Sequence, residues 1–155
     1  MSLDIEVDAL RNVPIFRGID PAKLRLLAFI SERIQFQPGE NLCVQGEQGD
    51  AAFVILDGDA DVIVHTDAGD KTVASFSKND IFGEIAVLCD VPRTATVRAA
   101  SDMNVLTVSK ENFLKLMQEF PDMSLEVMRV LAQRLEATTR DLVALQAQVP
   151  KASAG

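Results

Sequence analysis

The chain contains no tryptophan and no tyrosine, one histidine (His65) and two cysteines, Cys43 and Cys89. A single histidine excludes a His-rich metal centre and leaves any histidine-based nucleophile relay resting on one residue. The cysteines follow no metal or redox spacing and are read as reduced thiols of a cytoplasmic protein. Long apolar runs are also missing. The longest uncharged stretch, Leu142 to Pro150, has nine residues, against the roughly 20 needed to cross a bilayer. No basic residues precede an apolar run at the start, so a secretory signal is not expected. Positive charge is in deficit: the net charge is −8. Such a chain repels phosphate backbones at long range, which argues against nucleic-acid binding through a broad basic face. What is present is a balance of 48% hydrophobic and 25% charged residues over 155 positions, the composition of one folded domain.

Periodicity divides the chain into three stretches, predicting a single domain over 1–148 and a small, polar, frayed tail over 149–155. Helices are expected over 5–32, where Asp20 caps a helix with Pro21 at its first position. A β-barrel is expected over 33–108. Its runs, rich in Val, Ile, Phe and Thr, are Ile34–Gln37, Asn41–Gln45, Ala52–Leu56, Ala60–Thr66, Lys71–Phe76, Thr94–Ala99 and Asn104–Val108. Short strands with regular turn signals predict an antiparallel sandwich or barrel, and Asp57-Gly58 between two apolar runs predicts a hairpin. Helices return over 110–147, one started weakly by Ser109 and Asn112, the next opened by Pro121. The fold class is therefore mainly β, an antiparallel jelly-roll barrel with flanking N-terminal helices and a C-terminal helix pair.

One segment departs from strand and turn: Phe82-Gly83-Glu84-Ile85-Ala86-Val87-Leu88-Cys89-Asp90-Val91-Pro92-Arg93-Thr94-Ala95-Thr96-Val97. A glycine precedes a short helix-capable run, a proline-bounded turn follows, and an arginine enters a strand. Backbone N–H groups at a helix start attract anions, and an arginine fork fits two phosphate oxygens. A carboxylate beside them repels phosphate but accepts hydrogen bonds from vicinal hydroxyls such as those of a ribose. Together they describe a pocket for a sugar phosphate with one negative charge.

This segment resembles the phosphate-binding cassette of the cyclic-nucleotide-binding domain family, which includes kinase regulatory subunits, the bacterial catabolite activator and nucleotide-gated channels. Pro38-Gly39-Glu40, Gln45-Gly46, Gly49-Asp50, Phe53-Val54-Ile55 and Gly58 extend the resemblance, which runs from about Leu10 to about Leu142. It implies that Glu84 binds the ribose 2′-OH, that Arg93 holds the exocyclic phosphate, and that the amides of Ala86 and Thr94 point at the phosphate. Gly83 then lets the backbone approach the sugar and Ile85 borders it, with Phe82 and Ala95 completing the set. The nine-residue spacing from Glu84 to Arg93 is similar to the kinase regulatory domains; the activator's loop is one residue longer. The activator's DNA-reading domain needs roughly 60 to 70 further residues, and only about ten follow the long helix here, so no nucleic-acid partner is expected.

Thr94 has two roles open to it: a locally satisfied strand hydroxyl, or a contact to phosphate or to the 2-amino group of a syn guanine. Met128, Leu131, Leu135, Thr138, Leu142 and Leu145 are spaced 3, 4, 3, 4, 3, a heptad seam. The seam predicts either a lid on the chain's own barrel or a homodimer through residues 122–146. The activator-like spacing of Arg134, Leu135, Thr138 and Thr139 implies that Leu135 borders the purine and that the two threonines reach the adenine amine. His65 is expected to be exposed and inert, and Cys89 to be a small packed side chain. No metal, no membrane and no enzyme activity are expected. The reading is a regulatory sensor for cyclic AMP, ahead of cyclic GMP, with an unnamed downstream effector. The alternatives are a degenerate, non-binding interaction domain or an excised part of a larger channel, kinase or transporter.

Overall fold

Eight strands form two antiparallel sheets of four in the computed structural model, which describes residues 4–148; the predicted tail 149–155 lies outside them. The chain opens with α1 (Asp4–Arg11), a 3-10 turn (Pro14–Phe16) and α2 (Pro21–Ile30). Asp20 caps α2 by accepting the Ala22 N–H at 3.0 Å. Strands β1 (Glu32–Phe36), β2 (Asn41–Cys43), β3 (Ala51–Asp57), β4 (Ala60–Thr66), β5 (Gly69–Phe76) and β6 (Ile81–Phe82) follow. Then come α3 (Glu84–Cys89), β7 (Thr96–Ala99), β8 (Met103–Ser109), α4 (Lys110–Glu119) and α5 (Pro121–Gln148). One sheet has the order β1-β8-β3-β6 and the other β2-β7-β4-β5.

The run Ala51–Leu56 is buried throughout because both faces of β3 are covered. Phe53 and Ile55 point between the sheets, with Val97, Met103 and Val105. Ala52, Val54 and Leu56 point outward into a second cluster made with α1, α2, α4 and the start of α5, centred on Leu10, Phe16, Leu24 and Phe113. Each such side chain contributes roughly 1.5–3 kcal/mol by leaving water. The jelly-roll is thus a two-faced sheet with helices on one side and the other sheet across from it.

Four expectations need correction. Asp57-Gly58 does not close a hairpin. β3 pairs with β8 and β6, whereas β4 pairs with β5 and β7, so the glycine turns the chain from one sheet to the other. Its φ is +96°, and a Cβ there would lie 2.3 Å from the Asp102 carbonyl oxygen. The hairpin is β4–β5, closing at Thr66 and Gly69. Second, Thr94 and Ala95 precede β7 instead of belonging to it, because the 90–95 segment bonds to the loop at 45–48. Third, Ile81–Phe82 is a strand the pattern concealed, two residues being too few to show a period. Fourth, Cys89 is exposed, not packed, since it falls at the solvent side of the last turn of α3.

Gly58→Ala and Gly69→Ala separate backbone strain from steric contact. Both glycines have φ near +100°, but nothing lies within 4 Å of a Cβ at Gly69. Gly69→Ala should cost about 1–2 kcal/mol from strain alone, and Gly58→Ala at least about 1 kcal/mol more. Urea unfolding midpoints compare the two; equal losses would show that Asp102 yields without cost.

Candidate ligand-binding site

Arg93 is buried, at 6% exposure. Its Nη2 donates to the Ala51 carbonyl at 2.7 Å and its Nη1 to the Gly83 carbonyl at 3.3 Å. The guanidinium lies 5.3 Å from the centre of the Phe53 ring and 4.0 Å from the Asp50 carboxylate, which is itself largely exposed. A guanidinium carries five N–H donors, and the fork also borders an adjoining cavity. Gly83 caps α3 with φ +85°, and a Cβ there would meet Arg93 Nη1 at 2.6 Å. Glycine is required here twice, by the backbone and by the arginine.

The loop at 45–50 runs along the segment at 90–96 and braces it. The Gly46 N–H donates to the Arg93 carbonyl at 2.9 Å and the Arg93 N–H to the Glu47 carbonyl at 2.8 Å. Gln48 bridges to Pro92. A Cβ on Gly49 would stand 2.3 Å from that of Ala86, so the loop touches α3 with no room for a side chain. At the far end of α3, Asp90 takes a left-handed conformation. Its carboxylate accepts from Lys110 Nζ at 2.6 Å and Gln48 Nε2 at 3.4 Å.

Glu84 opens α3 and is 3% exposed. It is met from outside: Arg134 on α5 donates to its Oε1 at 2.5 Å. The cavity beside these groups holds about 150 Å³. Phe82, Gly83, Glu84, Ile85, Ala86, Arg93, Thr94, Ala95 and Arg134 all line it, as do Cys43, Val62, Phe76, Ile81 and Val97 from the barrel wall. The sequence reading missed that wall, although inward alternation on β4 and β7 carries the signal for Val62 and Val97. Phe76, Phe82 and Phe53 stack in a column, centroids 5.1 and 4.9 Å apart, with Arg93 at one end. Burial pushes the Cys43 thiol up, against the pull of the Arg93 charge.

Leu135, Thr138 and Thr139 sit on α5, exposed and outside this lining. Nor does α5 lie over the barrel as a lid along its length. Its buried residues are Met123 and Val127, and every described residue from 132 onward is exposed. His65 is not inert. Its ring meets the Asp70 carboxylate and lies 3.1 Å from Thr96 Oγ1. Among the described residues no group of three or more His, Cys, Asp or Glu is placed to hold a metal ion, and no helix is long and apolar enough to cross a membrane. One buried cation, one buried carboxylate and an apolar wall suit a small ligand that carries one anionic group and hydroxyls.

Comparison with known proteins agrees with that chemistry. Residues 33–120 match the model of the cyclic nucleotide-binding domain. A cAMP-dependent protein kinase regulatory subunit of Mycosarcoma maydis is 34% identical over 113 residues, 70% of this chain and 22% of that protein. The chain thus spans about a quarter of the curated kinase subunits it matches. The crystal structure of the Thermus thermophilus catabolite activator protein superposes with a TM-score of 0.79 at 25% identity, covering 86% of this chain and 63% of that one. A cAMP-bound structure of PfPKA-R gives a TM-score of 0.74 at 26% identity, covering 92% and 47%.

The Asp90–Lys110 contact predicts a pH signature. Lys110 holds the Asp90 carboxyl below the ordinary carboxylate value. The contact therefore adds stability above the unfolded value near about pH 4 and loses it as pH falls through the lower folded value. Lys110→Met should be less stable than the parent near neutrality, and the difference should vanish in acid. A constant difference down to about pH 2 would exclude the ion pair as its source.

Proposed function

The chain belongs to the cyclic nucleotide-binding domain family, and on that premise we propose that it is a non-enzymatic cyclic AMP sensor signalling through α5. The observation that carries this reading is the meeting of Arg93, Glu84 and Arg134 on one cavity. Arg93 takes the cyclic phosphate: it is preorganised by two carbonyls, so little ordering is left to be done on binding. Thr94 and the backbone at Ala86 stand beside it. Glu84 takes the ribose 2′-hydroxyl with a buried carboxylate.

Glu84 is also the carboxylate that Arg134 reaches from α5. A ligand hydroxyl and the helix therefore address the same group, and occupancy changes what Arg134 finds there. That shared carboxylate supports signalling through the helix. Thr94 lines the cavity and supports cyclic GMP as a second reading, through its hydroxyl and a syn guanine. Cyclic AMP is preferred because Thr138 and Thr139 stand one turn beyond Arg134, at the spacing of the activator's adenine contacts.

Leu135 and Leu142 are 68% and 53% exposed, and the seam from Leu135 onward is uncovered by the rest of the chain. Most of a helix's stability in a protein comes from packing of its apolar face, which this stretch does not find within its own chain. A second copy packing heptad to heptad covers it and brings a second pair of threonines to each site. The chain acts within the cytoplasm on an effector that α5 reaches, alone or as part of a longer regulatory protein.

Two outcomes test the proposal. Arg93→Ala should weaken cyclic AMP by about two to three orders of magnitude, the effect of removing a buried, charge-assisted fork, and Arg93→Lys should bind poorly too. Isothermal titration of both nucleotides reads this, and failure of the parent chain to bind either one would remove the function. For the dimer, light scattering should give a mass near twice 16.9 kDa, falling to one chain in Leu135→Asp/Leu142→Asp. A parent chain that stays monomeric with nucleotide present would exclude the pairing.

A further inference from the structure

We propose that His65 is a positioning residue for the phosphate-binding segment, acting through Thr96, and that its protonation weakens the bound nucleotide. The inference rests on the nucleotide binding proposed above. His65 lies near the end of β4. Its Nδ1 faces the Asp70 carboxylate on β5 and its Nε2 lies 3.1 Å from Thr96 Oγ1, at the start of β7. A carboxylate only accepts, so a neutral ring carries its proton on Nδ1 and leaves Nε2 an acceptor. The Thr96 hydroxyl then donates to Nε2, and its oxygen accepts the Gln45 N–H at 2.9 Å. Gln45 also holds the His65 backbone, its Oε1 accepting the N–H at 2.8 Å and its Nε2 donating to the carbonyl at 3.5 Å. Asp70 is the charged group against the imidazole; Thr96 from β7 and Gln45 from the loop after β2 are neutral.

Every proton in this chain of bonds has one acceptor while the ring is neutral. Protonation turns Nε2 into a donor. Thr96 Oγ1 then faces two donors, and its own proton loses its acceptor at a residue only 1% exposed, where no solvent replaces it. Thr96 stands two residues from Thr94 and three from Arg93. Gln45 opens the loop whose next residues hold Arg93 by its backbone. The imidazolium therefore disturbs both sides of the frame that aims the arginine. A ligand that needs the frame binds the neutral form better, and by reciprocity it lowers the midpoint at which the ring titrates.

Because the chain has one histidine, a single imidazole resonance reports this without assignment. Cyclic AMP is titrated calorimetrically into the full chain between about pH 8 and about pH 5.5, the window in which an imidazole changes charge. Affinity should fall about fivefold toward acid, the worth of one hydrogen bond, and should be flat in both His65→Gln and Thr96→Val. Imidazole NMR of the parent chain should show a lower titration midpoint with nucleotide than without. Binding with a flat pH profile in the parent, or a midpoint the nucleotide does not move, overturns the role of His65 and leaves nucleotide binding intact. No binding at any pH overturns the nucleotide reading and this inference together.

Discussion

A buried guanidinium is costly unless every side of it is met, and the placement of Arg93 organises the site. Its partners come from two separate pieces of chain: the Ala51 carbonyl and the Phe53 ring on β3, and the Gly83 carbonyl at the cap of α3. One side chain therefore ties the two-faced central strand to the short helix and to the segment that precedes β7. Gly83 has to be glycine because the arginine occupies the space of its Cβ, and Gly49 because α3 is drawn against the loop. The aromatic column extends the same constraint across the barrel, with Phe76 at the far end from the charge.

The second organising contact crosses between the barrel and the helices. α5 is anchored at its beginning by Met123 and Val127, in the cluster that also holds Phe113 and Phe16. Beyond that anchor Arg134 reaches back to Glu84, and the remainder of the helix has solvent around it. The helix is thus fixed at one end and tethered once in the middle by an ion pair at the cavity, the arrangement on which the proposed signalling rests. The net charge of −8 does not conflict with an anionic ligand, because Arg93 and Arg134 outnumber Glu84 at the cavity.

Much of the site was legible because its parts are contiguous. Gly83, Glu84, Arg93 and Thr94 fall within a dozen residues, and each has a backbone or charge requirement that few residue types satisfy. The wall residues Cys43, Val62 and Phe76 were not legible, since an apolar residue on a strand looks the same whether it lines a cavity or fills one. The contacts of His65 were not legible for a related reason. Its partners Asp70, Thr96 and Gln45 come from three different elements, and nothing in the local sequence announces that they converge. Asp57-Gly58 has the residues of a hairpin turn, yet the flanking strands pair elsewhere, because a turn dipeptide specifies a change of direction and not the partner that follows.

Composition and pattern by themselves determined the class of the molecule: a mainly β domain between helices, and a cassette suited to a sugar phosphate. Those properties depend on neighbours along the chain, on period two against period 3.6, and on glycine, proline and arginine at short spacing. Tertiary structure alone decided which strands pair, that Arg134 and not Leu135 meets the cavity, and that the heptad seam of α5 is exposed from Leu135 onward. These depend on contacts between residues tens of positions apart, such as the 50-residue separation of Glu84 and Arg134. Such contacts are set by how the packed layers bring their faces together, which no short window of sequence contains.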